Sequence, residues 1–244
     1  MKNIKSLFIG LLFLTIGTSY AQTNRFDIGV EGSPSLISLR GNDYINSNHK
    51  TSIGYSGGIF FQYNFKKIIS LRTNIAFERK GNMIKTKFSD LNGNPLGELK
   101  GISNYDYLIL PILVRATFGR KIQYFINAGP YLGYLIKKTI IVEAENFPTW
   151  TSDDTYLCKD FDFGLTTGLG LLLPIKQKFA LSLEVRNNLG LYNTSAVPVI
   201  NNGTIKTNST NFMINLVYKF GQRGLSSNWE LWREMEANVG FSEN

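Results

Sequence analysis

The sequence contains little of what disulfide-stabilised, metal-binding and catalytic proteins usually depend on. It has one cysteine, Cys158, and one histidine, His49. A single cysteine excludes an internal disulfide framework. No nucleotide fingerprint, zinc-ligand spacing or nucleophile elbow occurs. Beyond the N-terminal region, no run reaches the roughly 18 continuous apolar residues of a membrane-spanning helix. We therefore expect no metal and no cofactor, and two architectures remain: a soluble domain or a closed membrane barrel.

The N-terminal region has the pattern of a secretory signal. Lys2 and Lys5 precede an apolar stretch at residues 7–16, and Ser19 and Ala21 follow as the small residues of a cleavage site. The apolar stretch is too short to serve as a stable membrane anchor. We predict that residues 1–21 are a signal peptide and that the chain is exported.

Residues 105–136 favour the membrane barrel. They contain two apolar runs joined at residues 119–121, a break short enough for a β-hairpin. In the second run, alternate positions separate into an apolar set and a set of mostly small, amide and aromatic residues. The apolar set is Ile122, Tyr124, Ile126, Ala128, Pro130, Leu132, Tyr134 and Ile136, and the other is Gln123, Phe125, Asn127, Gly129, Tyr131, Gly133, Leu135 and Lys137. This division is typical of a small barrel whose apolar residues face lipid and whose other residues fill the lumen.

The strings YLILPILVRATFG and YFINAGPYLGYLI of this hairpin resemble two neighbouring strands of the small outer-membrane β-barrel family called PorT-like. Ile109 stands where that family usually has a lumen acid, whereas Arg115 keeps the basic partner. Segments 161–173 and 211–220 extend the resemblance over nearly all of the exported chain. The resemblance implies an eight-stranded barrel in the outer membrane, inserted by the barrel assembly machinery, and it implies no reaction.

Eight strand candidates follow one another along the exported chain. Each exceeds the roughly 9–11 residues that a tilted strand needs to cross a bilayer. Long and short connections alternate, as in barrels with long external loops and short periplasmic turns. We predict an eight-stranded antiparallel up-and-down transmembrane β-barrel at residues 22–221. Its strands are expected at 26–39, 52–65, 68–88, 104–118, 122–142, 160–173, 179–192 and 210–220, with long loops at 40–51, 89–103, 143–159 and 193–209.

The outward aromatic residues fall into two groups, as expected for the two interfaces of a membrane barrel. A soluble barrel would expose this apolar band to water, which a monomer does not tolerate. The short-turn group is Phe26, Tyr63, Phe65, Phe118, Tyr124, Phe179, Tyr218 and Phe220, and the long-loop group is Tyr55, Phe77, Tyr134, Phe161, Phe163 and Phe212.

The inward positions contain many charged residues. An eight-stranded barrel has room only for its own side chains, and buried charges need partners. We therefore predict that ion pairs close the lumen, the alternative being a conducting channel. The inward polar set is Asp27, Glu31, Arg72, Asn74, Glu78, Arg115, Asp162, Glu184, Arg186 and Lys219.

The loops contain two groups of chemically active residue types. His49 lies near Asp43, Ser47 and Ser52 in the first loop, a composition that some lipid-modifying hydrolases and acyltransferases share. A lone histidine among loop polar residues is more often a surface residue, and we expect no catalytic residue here. Carboxylates in the third loop do not have the spacing of a Ca²⁺ site and are expected to be solvated: Glu143, Glu145, Asp153, Asp154 and Asp160.

The basic residues do not form a nucleic-acid-binding stripe, although the net charge is +8. They lie at predicted turns, at residues 66–67, 120–121, 176 and 178, where they would meet phospholipid headgroups or simply be solvated. We expect a monomer with no nucleic-acid partner. The expected partners are outer-membrane lipid, lipopolysaccharide, the barrel assembly machinery and an envelope or secretion protein.

The segment after the last strand, residues 222–244, has the pattern of a short helix. Ser227 and Glu230 form a capping box, and Trp229 and Trp232 recur at helical spacing. We predict a helix on the periplasmic side that lies in the inner-leaflet interface, docks onto a partner or enters the barrel mouth. The alternative is a frayed tail, because an isolated helix of this length is marginal in water.

The sequence therefore favours a non-enzymatic outer-membrane barrel that acts through its loops or its partners. Two alternatives stay open: a soluble, secreted, lipocalin-like binding barrel and a loop-based lipid-modifying enzyme.

Overall fold

The computed structural model describes residues 26–65, 68–89, 92, 95–119, 121–144, 147–176 and 178–220. The predicted signal peptide at 1–21 and the predicted helix within 222–244 lie outside these residues.

The described residues form nine β-strands and one short helix. No helix among them has the length and apolar character that a membrane crossing requires. Helix α1 is Asp43–Asn48, and two 3₁₀ turns cover Thr155–Leu157 and Ile200–Asn202. The strands are β1 Phe26–Arg40, β2 Ser52–Asn64, β3 Ile69–Ser89, β4 Pro95–Gly119, β5 Gln123–Ala144, β6 Trp150–Asp153, β7 Phe161–Lys176, β8 Phe179–Gly190 and β9 Lys206–Phe220.

Eight of the strands close into a ring. Each pairs antiparallel with the next in sequence, β7 follows β5 directly, and β9 pairs back onto β1 from Phe26 opposite Phe220 to Arg40 opposite Lys206. The predicted eight-stranded antiparallel up-and-down barrel is confirmed. Strand β6 is outside the ring and pairs only with the upper part of β5.

Alternation along the strands sorts the side chains as the sequence predicts. On β5 every residue of the apolar set from Ile122 to Ile136 is exposed on the outer wall, and Phe125, Asn127, Tyr131 and Leu135 are buried in the lumen. On β4, Ile109, Pro111 and Leu113 also point inward. The outer wall is therefore an apolar band, and the lumen holds mixed polar and aromatic residues.

One position of the inward set on β5 is wrong. Lys137 is exposed, whereas Lys138 is buried, because the β4–β5 register shifts between Asp106 and Tyr107. Asp106 pairs with Lys137 and Tyr107 pairs with Leu135, so Ile136 is an extra residue. A bulge of this kind reverses the facing of all residues beyond it.

The strands on one side of the ring continue far beyond the barrel. The predicted second loop at 89–103 is instead mostly strand, because β3 and β4 stay paired up to Ser89 opposite Pro95. β4 pairs with β5 up to Leu99 opposite Ala144, and β6 adds a fourth strand. We call residues 81–89 of β3, 95–104 of β4 and 139–144 of β5, together with β6, the projecting sheet. The glycines and the proline in this segment concealed its strand character from sequence reasoning.

Candidate functional site

The middle of the lumen holds a continuous chain of ion pairs. Arg72 Nη2 lies 2.7 Å from Glu31 Oε2, and Arg186 Nη1 lies 3.4 Å from Glu31 Oε1. Arg186 Nε then reaches Glu184 Oε1 at 2.6 Å, and Arg115 Nη2 reaches Glu184 Oε2 at 3.3 Å. These five residues, the central charge cluster, come from β1, β3, β4 and β8. Because their side chains are at most 4% exposed, the cluster fills the barrel from wall to wall.

Amides and aromatic rings complete the surroundings of this cluster. Arg115 Nε donates to Asn127 Oδ1 at 2.7 Å, and Asn127 Nδ2 donates to Glu184 Oε1 at 2.8 Å. The guanidinium of Arg72 lies 3.6 Å from the centroid of the Phe60 ring, and that of Arg115 lies 3.8 Å from the Phe125 ring. The rings supply cation–π contacts and form an apolar layer on the short-turn side of the cluster.

A second buried ion pair lies nearer the long-loop side, and sequence reasoning missed its base. Lys80 Nζ donates to Asp162 Oδ2 at 3.0 Å, to Tyr131 Oη at 3.0 Å and to Thr207 Oγ1 at 3.2 Å. Thr207 Oγ1 also donates to Asp162 Oδ2, at 2.6 Å. Lys80 shares the alternation of Arg72 on β3, so the pattern already contained this signal.

Glu78 occupies the space between these two groups and is held by neutral donors. Asn188 Nδ2 and Asn211 Nδ2 donate to it at 2.8 and 3.1 Å, and Ser209 Oγ donates as well. A cavity of ≈ 10 Å³ lies beside it, lined also by Glu31 and Arg186. A water molecule needs at least about 10–15 Å³, so this space holds one water at most.

Two further predicted lumen residues, Asp27 and Lys219, lie at the short-turn end. Asp27 accepts hydrogen bonds from Gln62 Nε2 at 3.2 Å and from Asn64 Nδ2 at 3.0 Å. Lys219 pairs with Asp27 in the β1–β9 register and is half-buried. Asn74 joins the central cluster by donating to Glu31. The structure therefore places every residue of the inward polar set from Asp27 to Lys219 on the lumen side, and it gathers most of them into the central charge cluster or around Glu78.

An apolar cap closes the long-loop mouth above Lys80. Ile45 of α1 and Cys158 of the third loop are buried against Leu39, Tyr105 and other lumen residues. The third and fourth loops are joined here, because the backbones of Cys158 and Ser195 form an isolated antiparallel β-bridge. Burial raises the pKa of the Cys158 thiol. Cys158 thus packs within the cap as a small apolar residue.

His49 lies at the C-terminal end of α1 and contacts Asn82 of β3. Its Nδ1 lies 2.7 Å from Asn82 Nδ2, and among the described residues no hydrogen bond joins it to Asp43, Ser47 or Ser52. Burial lowers the pKa of His49. The arrangement that a loop-based hydrolase would need is therefore not assembled around this histidine.

Among the carboxylates of the third loop, Asp153 is hydrogen-bonded within the loop, whereas Glu143 pairs with Lys100 of β4 at 2.9 Å. Asp153 Oδ1 accepts from the Thr155 backbone N–H at 3.1 Å and from Thr155 Oγ1 at 2.6 Å. These bonds lower the pKa of Asp153, and Lys137 Nζ lies 3.4 Å away. Within the described ranges no group of three His, Cys, Asp or Glu side chains is placed to hold a metal ion. Glu145 lies outside the described residues.

The outward aromatic residues form ring contacts at both ends of the barrel wall. At the short-turn end, Phe26 contacts Tyr63 with centroids 5.0 Å apart, and Tyr218 contacts Phe220 at 5.0 Å. At the long-loop end, Tyr134 contacts Phe161 at 5.6 Å. Two aromatic belts therefore bound the apolar band, the arrangement that anchors a barrel at both membrane interfaces.

The chain is similar to several proteins of known structure and to one family model. The chain is similar to Ail of Yersinia pestis (12% identity, 80% of this chain and 99% of that chain, TM-score 0.40) and to OprG of Pseudomonas aeruginosa (13%, 81% and 97%, TM-score 0.41). It is also similar to Neisserial surface protein A (13%, 79% and 97%, TM-score 0.42). No curated protein sequence matches the chain. The family model described as outer membrane protein beta-barrel domain matches residues 20–196, from before β1 to the loop that follows β8. The chain therefore belongs to the outer membrane protein β-barrel domain family and is an outer-membrane β-barrel protein.

Proposed function

We propose that this protein is a sealed, non-enzymatic outer-membrane barrel that works through its external surface. The observation that carries the proposal is the central charge cluster, which spans the lumen with side chains at most 4% exposed. The apolar cap adds a second closure above it. A pathway for solutes would require both layers to move.

The orientation follows the length of the connections. The turns between β2 and β3, β4 and β5, and β7 and β8 are short, and they share an end with the start of β1 and the finish of β9. We assign this end to the periplasm, because outer-membrane barrels keep short turns and both termini there. The apolar cap and the projecting sheet then face the outside of the cell.

The projecting sheet presents a contiguous apolar face above the mouth. Ile84, Gly101, Val142 and Trp150 lie side by side across its four strands. Trp150 is 58% exposed, and a Cβ at Gly101 would meet nothing within 4 Å. An apolar row with a hollow at its centre, held outside the membrane, fits the side chains of a protein partner. We assign contact with an envelope or secretion partner to this face.

The finer family relation belongs to the same proposal. The β4 and β5 strings resemble PorT-like barrels, and Arg115 is used in the lumen as that resemblance implies. The lipocalin-like alternative is disfavoured because the outer wall is a continuous apolar band. A soluble monomer rarely exposes an apolar surface of that size to water.

Site-specific photo-crosslinking tests the proposed external contact. A photoreactive amino acid replaces Trp150 in one strain and Lys178, at the short-turn end, in another. We expect a crosslinked product of defined mass from position 150 that is absent at position 178. Products from position 178 alone would overturn the proposed recognition face.

A further inference from the structure

A groove interrupts the lipid-facing wall near the short-turn rim. It has a volume of ≈ 510 Å³ and crosses five adjacent strands, β8, β9, β1, β2 and β3. Apart from Gly29 and Thr73, its lining is aliphatic and aromatic, and it includes Ile28, Ile59, Phe61, Leu216 and Tyr218. Such a volume falls within the roughly 300–1,000 Å³ of sites that hold small organic groups.

Two inward positions, Gly29 and Phe60, are part of the lining of the groove. Gly29 points inward between two lining residues, and a Cβ there would lie 2.5 Å from the Phe60 ring. Phe60 therefore occupies the inner side of the wall at the groove. The groove is therefore lined both by these two inward positions and by outward side chains such as Ile28, Ile59 and Leu216.

The groove lies at the depth of the short-turn aromatic belt. Ile28 pairs with Phe61 on one side and with Tyr218 on the other, one outward position above the row that contains Phe26 and Phe220. Rings stand on both sides: Phe26 contacts Phe61 at 5.5 Å, and Tyr218 contacts Phe179 at 5.2 Å on the opposite side. The groove is thus an opening in the belt, at the interface depth where tryptophan is favoured.

The sequence after β9 contains aromatic residues that could reach the groove. Residues 221–244 begin immediately after Phe220, two residues beyond the groove residue Tyr218, and they contain Trp229 and Trp232, two of the three tryptophans in the protein. At about 3.3–3.6 Å per residue, the nine steps from Phe220 to Trp229 span up to about 30 Å. That reach covers the whole groove.

We propose that Trp229 and Trp232 insert into this groove, so that the segment after β9 binds the outer wall of its own barrel at the short-turn rim. The indole rings complete the interrupted belt, making ring contacts with Phe61 and Tyr218 of a kind that a phospholipid acyl chain does not make. The competing occupant is such an acyl chain.

Disulfide crosslinking tests the proposal. Because Cys158 is the only cysteine, Cys158→Ala gives a cysteine-free chain. Trp232→Cys is combined with Ile59→Cys in the groove or with Ile126→Cys on the far wall. The two isoleucines are matched, being lipid-facing and 59% and 58% exposed. Heat-modifiable migration on a gel verifies that each full-length variant is folded before oxidation in lipid bilayers.

We expect the Ile59 pair to crosslink at least ten times faster than the Ile126 pair. In a Trp150→Phe chain, whose tryptophan emission comes only from positions 229 and 232, Val30→Phe should partly fill the groove and shift the emission to longer wavelength. Equal crosslinking rates, with emission unchanged by Val30→Phe, would assign the groove to lipid and overturn the proposal.

Discussion

At the scale of single residues, the middle of the lumen is organised by pairing of buried charges. Sequence reasoning found five acids and four bases facing inward, and the structure adds Lys80, which pairs with Asp162, and Lys138, which lies over the Tyr105 ring. Each buried base of the central charge cluster touches at least one carboxylate. Removing a buried partner costs more than the pair contributes, because it leaves an uncompensated charge in a dry environment.

Arg186 is the residue whose loss should be most damaging, since it touches both Glu31 and Glu184. We predict that Arg186→Ala lowers the free energy of unfolding by about 3–5 kcal/mol. Arg79→Ala is the matched control, because Arg79 pairs with Asp106 at 2.7 Å on the partly exposed outer side. Its loss should cost less than about 1 kcal/mol. Urea unfolding of the refolded barrels measures both, and equal losses would contradict a closely paired lumen.

Two lysines show where the facing of a side chain could and could not be predicted from the sequence. Lys80 was detectable, because it shares the alternation of Arg72 on β3. The outward turn of Lys137 was not, because the bulge at Ile136 depends on how β4 and β5 pair rather than on composition.

At the scale of elements, the eight ring strands, their order and most of their facing were predictable because alternation and connection length are local properties, whereas β6 was not. The ends of the strands were not. β4 begins at Pro95 and β9 at Lys206, earlier than predicted, because pairing with a neighbouring strand overrides weak local preference. Helix α1 was not predicted because its six residues are too few to show a helical pattern of apolar positions. Its one sequence signal is the N-cap Asn42, whose Oδ1 accepts from the Ile45 backbone N–H at 3.1 Å.

The cap depends on the contact that α1 makes with the loops. We predict that Ile45→Ala increases the rate at which a membrane-impermeant maleimide labels Cys158 by at least tenfold, because a cavity forms beside the thiol's packing cluster. Ile53→Ala is the control, since Ile53 is 78% exposed on the outer wall. Labelling is measured on folded protein in bilayers. A wild-type rate for Ile45→Ala would show that α1 does not protect the mouth.

At the scale of the whole molecule, three closures lie in series along the barrel axis. The aromatic layer of Phe60 and Phe125 lies on the short-turn side, the central charge cluster fills the middle, and the apolar cap covers the long-loop mouth. The outer surfaces are different in character, with an apolar band between aromatic belts and a projecting sheet beyond. These layers are the basis of our proposal that the interior is sealed and that the exterior makes the contacts.

Ion conductance across a planar lipid bilayer tests this account most directly. Purified full-length protein is inserted, insertion is verified by recovery of folded barrel from the bilayer-forming vesicles, and current is recorded against protein-free membranes at the same voltage. Because the central charge cluster spans the lumen, we predict no conductance above that of the protein-free membrane. A steady conductance of porin size would contradict the sealed barrel. The lumen would then be a candidate pathway for solutes.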